Sequence, residues 1–182
     1  MSFDPKTVLD FWFKESSPED WFQKSDEYDQ RIKDRFEKIL DEVSTTPNED
    51  LLESAPSALA AVIVLDQFPR NIYRDTETSF AYDDKAFALS EAAVGKGFDK
   101  ELSDTERQFL YMPYMHSEKK SVHEKAVELF SSLENQTALE YELKHKKIID
   151  RFGRYPHRNI ILGRTSTPEE IDFLENEEDS SF

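Results

Sequence analysis

Four times in this chain a capping residue stands directly before a proline: Asp4-Pro5, Ser17-Pro18, Thr46-Pro47 and Thr167-Pro168. A side-chain oxygen at an N-cap accepts from an early helix amide. Proline suits the next position because its missing N–H would be unpaired there anyway. A chain punctuated in this way starts helices, not strands. The segments that follow agree. In SDEYDQRIKDRFEKILDEV, Tyr28, Ile32, Phe36, Ile39, Leu40 and Val43 recur at helical spacing and leave a charged outer face. PSALAAVIVLDQF is apolar on nearly all sides, which predicts a central helix buried by its neighbours, ended by Pro69. DDKAFALSEAAVGKG predicts a helix stopped at Lys96-Gly97, and Ser103 to Glu106 has capping-box spacing before a helix that Pro113 interrupts or kinks. KSVHEKAVELFSSL, ALEYELKHKKIIDRFG (ending at Gly153) and PEEIDFL complete the series. No Asn-Gly or Asp-Gly hairpin signal occurs. The reading is all-α, a compact array of about eight to ten helices, in one domain over 1–175. The acidic tail 176–182 is expected to be disordered.

Composition sets what such a helical array can be built from and what it can meet. Hydrophobic residues are 37% of the chain, yet aromatic residues reach 13%, so the core relies on rings that each remove a large area from water. Four glycines disfavour a Gly-rich phosphate loop, and the absence of cysteine excludes disulfides, thiolate catalysis and cysteine-ligated metal. The apolar run Ala58–Leu65 is too short to span a bilayer, and the N-terminus lacks a signal-peptide pattern. A net charge of −16 repels nucleic acid and anionic membranes at long range. We therefore expect a cytoplasmic protein with no nucleic-acid or membrane partner.

Against that background one window stands apart. Arg151 to Pro168 holds four of the nine arginines, one histidine, no acid and none of the fourteen lysines. Arginine is the residue for fixed, bidentate pairing with carboxylate or phosphate, whereas lysine is a mobile point charge. The window also contains YPHRNI, Tyr155–Ile160, a near copy of FPRNI at Phe68–Ile72 with one histidine inserted. Similar turn geometry is expected for the two. Clustered like charges raise the local energy unless offset. Either internal acids (Asp66, Asp83, Glu118 or Asp150) tie the arginines into a structural network, or the cluster is kept for an anion.

The histidines add little that is specific. His116 with Glu118 is a candidate acid–base pair, and His116 with His123 lie seven apart, but no metal-ligand pattern occurs and no metal or cofactor is expected. His145, among lysines, reads as a solvated surface residue. Trp12 and Trp21 are core residues or one wall of a pocket.

Taken in order, LDQFPRNIYR, FAYDDKAFALSEAAV, ERQFLYMPYMHSE and RFGRYPHRNIILGRTSTPEEIDFL resemble the bacterial domain-of-unknown-function family numbered 924, over essentially the whole chain. The resemblance implies a tetratricopeptide-like helical fold and no assigned activity. Together the residues and the resemblance favour a polar pocket for a small anionic or carboxylate-bearing ligand. Its side chains would be Asp66, Arg70, Asn71, His116, Glu118, Arg154, His157, Arg158, Asn159 and Arg164, with Arg70 and Arg158 close to each other and to Glu118. The alternatives are a tetratricopeptide-like interaction scaffold, and a hydrolase using His116 or His157. No catalytic residue is singled out.

Overall fold

A computed structural model describes residues 3–177. Among these, ten α-helices and no strands form: α1 Pro5–Asp10, α2 Pro18–Phe22, α3 Asp26–Thr45, α4 Asn48–Leu51, α5 Ala55–Ile72, α6 Asp83–Gly95, α7 Asp104–Met115, α8 Lys120–Ser131, α9 Gln136–Phe152 and α10 Pro168–Asn176. The caps behave as their chemistry predicts. Asp4 accepts from the Lys6 and Thr7 amides, and Ser17, Ser103 and Thr167 each close a reciprocal capping box three residues on. Thr46-Pro47 differs: Pro47 itself occupies the cap of the four-residue α4 and offers no side-chain acceptor. Gly97 and Gly153 end α6 and α9 in the left-handed conformation that a side chain would resist.

The all-apolar helix is the axis of the molecule. α5 is buried from Ser57 through Pro69 and packs against α1, α3, α6 and α7. Its small residues Ala58, Ala60 and Ala61 let those neighbours approach, and rings fill the remaining space. Phe11, Trp12, Phe36, Phe68 and Phe109 are all fully buried, with Phe36 and Phe68 centroids 4.8 Å apart. A smaller cluster of Ile148, Ile149, Tyr155 and Phe173 sits under α9 and α10.

The expectation that Pro69 ends the buried helix fails here. Pro69 does not end α5, which continues to Ile72 with the Tyr73 amide bonded to Pro69 O at 2.9 Å. Pro113 lies inside α7, which it does not end. Burial against several helices outweighs the cost of a missing amide donor. The two related sequences therefore do not share a turn. FPRNI is α-helical, whereas Pro156–Arg158 forms a 3-10 turn after α9. The acidic end also begins later than expected, because Asn176 closes α10 and Glu177 pairs with Arg151. Residues 178–182 of the expected tail lie outside the described residues.

Candidate functional site

α5 carries Asp66 and Arg70 one turn apart near its C-terminal end, inside the protein. Arg70 makes a bidentate pair with Asp83 at the start of α6, 2.8 and 3.0 Å, and donates to the Asp66 carbonyl at 2.7 Å. Arg158 reaches the same Asp83 from the 3-10 turn, Nη1 to Oδ2 at 3.2 Å, and donates through Nη2 to the His116 carbonyl at 3.1 Å. Two guanidiniums thus share one carboxylate. The Arg158 guanidinium lies between the rings of Phe80 and Tyr155, 4.6 and 4.7 Å from their centroids. Burial and the nearby Arg70 push its pKa down, and Asp83 only partly restores it. Arg70 goes the other way: burial opposes its charge, but Asp83 and Asp66 outweigh that and raise it. Arg158 is the less compensated cation. Its Nε is buried and has no partner.

The rest of the arginine island is internally satisfied. Arg164 forks onto Glu118 at 2.7 and 2.9 Å and also reaches Asn159 Oδ1 and the Tyr155 carbonyl. Glu118 in turn accepts from the Tyr155 amide at 2.7 Å. Burial would raise the Glu118 carboxyl, but Arg164 and that amide hold it below the usual range. Arg154 forks onto Glu170 at 2.6 and 2.7 Å, and Arg151 pairs with Glu169 and Glu177. Asn159, 1% exposed, donates to Ser166 and Glu170. Asn71, next to Arg70 on α5, donates with Arg74 to Asp29 on α3 at 2.7 and 2.8 Å. A pattern runs through these contacts. Arg70, Arg158 and Arg164 each also donate to a backbone carbonyl, and the one that Arg158 meets, His116, caps the C-terminal end of α7, where partial negative charge accumulates.

The expected His116–Glu118 pair does not form. His116 Nδ1 instead lies 2.7 Å from Asp66 Oδ1, and the second Asp66 oxygen takes the Gln67 amide. Asp66 is 1% exposed. Burial would raise its carboxyl, but His116 and Arg70 together pull it below the ordinary value. His116 is lowered by burial first and Arg70 second, with Asp66 acting against both. His123 is enclosed, with Glu142 Oε1 at 2.8 Å on one nitrogen and the Ser117 carbonyl at 2.8 Å on the other. His145 is a correction: it is buried, its Nδ1 lies 2.7 Å from the Tyr141 carbonyl, and burial lowers its pKa to about 3. The available signal was its position on the inward stripe of α9 with Ala138, Glu142, Ile148 and Ile149. The flanking lysines obscured it. His157 is lowered to about 4 by burial and then by Arg158, and its Nδ1 is buried without a partner.

Arg70, Asn71, His116, His145, His157 and Arg158 line a cleft of about 810 Å³, within the range of small-molecule sites. One wall carries Trp21, Phe22, Met112, Met115 and Phe130; the polar floor carries Gln67, Arg70, His116, His145, His157 and Arg158. A second cleft of about 640 Å³ has Asp83, Asp84 and Glu118 among its lining residues. Only Phe80, His116 and Arg158 line both. Trp12 is fully buried in the core and Trp21 lines the larger cleft, the two rings stacked with centroids 6.1 Å apart. Among the described residues no group of three or more His, Asp or Glu side chains is placed to hold a metal ion. None of the described helices is long and apolar enough to cross a membrane.

Fold and cleft together define a class: an all-helical protein with a charge-paired polar centre at the end of its buried helix. The chain belongs to the bacterial protein family of unknown function DUF924, whose family model matches residues 8–178. Its structure is similar to that of ATU0120 from Agrobacterium tumefaciens, itself a protein of unknown function. The TM-score is 0.89 at 37% identity, over 94% of this chain and 96% of that one. No curated protein matches.

Proposed function

We propose that the larger cleft binds a small anionic ligand, a carboxylate attached to an apolar body, with Arg158 as the principal cation. The observation that carries this reading is the incomplete pairing of Arg158. It is 7% exposed, has an unpartnered Nε, and holds only one oxygen of a carboxylate already forked onto Arg70. A buried cation in that state gains from an anion. The aromatic and thioether wall beside it suits an apolar body. Gln67 and His157 add hydrogen-bonding groups at the floor. The protein would act in the cytoplasm, its helices stacked in a tetratricopeptide-like manner.

The scaffold alternative draws on Phe22 and Tyr141, 60% and 49% exposed at the cleft. A peptide ending in a free carboxylate would satisfy both features and falls within the ligand class.

Benzoate and sulfate are suitable probes for a thermal-shift measurement on wild type and Arg158→Met. Methionine keeps bulk between the Phe80 and Tyr155 rings, and Asp83 keeps both bonds from Arg70. Stability without ligand should therefore stay about neutral, within roughly 1 kcal/mol. Benzoate should raise the melting temperature of wild type more than sulfate does, and that rise should vanish in Arg158→Met. A large loss of stability in the variant, with no anion effect in either protein, would assign Arg158 to structure instead.

A further inference from the structure

Of the four histidines, His116 alone combines an orienting carboxylate with a nitrogen left open. His123 is bonded on both nitrogens and fully enclosed. His145 has a backbone carbonyl at Nδ1, and His157 Nδ1 is sealed in without any partner. His116 has the buried Asp66 carboxylate 2.7 Å from Nδ1. Asp66 is itself held by Gln67 and, at 3.4 Å, by Arg70. An ionised carboxylate only accepts, so Nδ1 must carry the proton and Nε2 the lone pair. Nε2 has no partner in the fold, yet it is absent from the fully buried unpartnered nitrogens, which belong to Trp12, His157 and Arg158. The ring lines both clefts.

We propose that His116 is a general base, positioned by Asp66, which activates water against an ester bond of a carboxylate-bearing substrate in the larger cleft. This rests on reading that cleft as a ligand site. Nε2 takes a proton from water as the water oxygen bonds to the acyl carbon. The tetrahedral intermediate then collapses, the C–O bond to the alcohol breaks, and the leaving oxygen takes the proton back from Nε2. The net change is ester plus water to acid plus alcohol, with no oxidant or further reactant. Asp66 keeps the tautomer fixed and stabilises the transient imidazolium. The groups facing the imidazole are Asp66 and Arg70 from α5, Asp83 from α6, His145 from α9, and His157 and Arg158 from the 3-10 turn. Burial and Arg70 keep the ring neutral near pH 7, as a base requires. Arg158 places the substrate's carboxylate beside it, and the aromatic wall takes the remainder.

The probe is 4-acetoxybenzoate, which joins a carboxylate, a ring and an ester, followed by release of 4-hydroxybenzoate. Benzoate-induced thermal shift is measured in parallel as a separate readout of binding. Wild type should hydrolyse the probe with saturation, and the rate should rise with pH through one ionisation below the ordinary imidazole value of about 6.5. His116→Gln should lower kcat about 100-fold or more while benzoate still shifts its melting temperature. Asp66→Asn should lower kcat at unchanged KM and move the ionisation to lower pH, because the carboxylate that favours the imidazolium is gone. Should the Asn variant fail to fold, His116→Gln carries the test. Benzoate binding with no protein-dependent hydrolysis, or hydrolysis undiminished in His116→Gln, would overturn the base role and leave the cleft reading standing. Absence of any benzoate shift in wild type would overturn both.

Discussion

Glu170 does more than its place in a capping box suggests. One carboxylate accepts from the Thr167 amide, from Arg154 twice and from Asn159, and it is 2% exposed. Those bonds hold its pKa down to about 2, Arg154 contributing most. Removing it takes away the return half of the capping box and leaves the buried Asn159 amide with Ser166 alone, whereas removing Arg154 leaves a nearly buried carboxylate without its main charge partner. Glu170→Ala should therefore cost about 1–2 kcal/mol in denaturant unfolding, and Arg154→Ala at least as much. A clearly smaller loss in Arg154→Ala would mean that the cap and Asn159, not the Arg154 fork, are what Glu170 supports. The sequence hints at only part of this. Thr167 and Glu170 have the spacing of a cap, but nothing in the order of residues shows that Arg154, Asn159 and Glu170 meet. The choice of acids is the same kind of case. Asp66, Asp83 and Glu118 were nameable as partners for the arginines, but which arginine meets which depends on helix packing.

At the scale of the element, α5 decides the most. Its mean hydropathy and lack of a polar face require burial on every side, and α1, α3, α6 and α7 supply it. That enclosure is why Pro69 can stay inside the helix. It also places Asp66 and Arg70 in a partly dry setting, where a fixed carboxylate can orient His116 from the end of α7. Close packing leaves little room along this helix. Ala61→Leu should destabilise by about 1–3 kcal/mol through overpacking, measured as a shift in denaturation midpoint at constant slope. A neutral result would show that the neighbours of α5 can move apart. Helix starts and the Gly153 stop were legible because caps and left-handed glycines act locally. The continuation of α5 through Pro69 was not, since it reflects contacts distant in the chain.

For the molecule as a whole, buried charge makes stability depend on pH. His145 and His157 have folded pKa values of about 3 and about 4, below the unfolded value of about 6.5. Above that value both states leave the rings neutral and nothing is lost. As pH falls below it, the unfolded chain takes up protons that the folded one refuses, so stability declines toward the folded values. Glu118 and Glu170, held low when folded, add a second decline as pH passes below the ordinary carboxylate range. Glu142, raised by burial, opposes part of it. Urea unfolding should thus show stability falling from about pH 6.5 downward, and His145→Phe should flatten the upper part by up to about 1.4 kcal/mol per pH unit. An unchanged slope in that variant would remove His145 as a cause. The sequence by itself determined the helices, their caps, the buried axis and the segregation of arginine from lysine, because these follow from local backbone preference and the side chains available. Only the tertiary structure decided that Arg154 and Arg164 are spent on internal acids, that Arg158 is left under-compensated, and that Asp66 rather than Glu118 orients His116. Pairing among charges is settled by distance and burial, and both come into existence only when α5, α7 and the turn after α9 pack together.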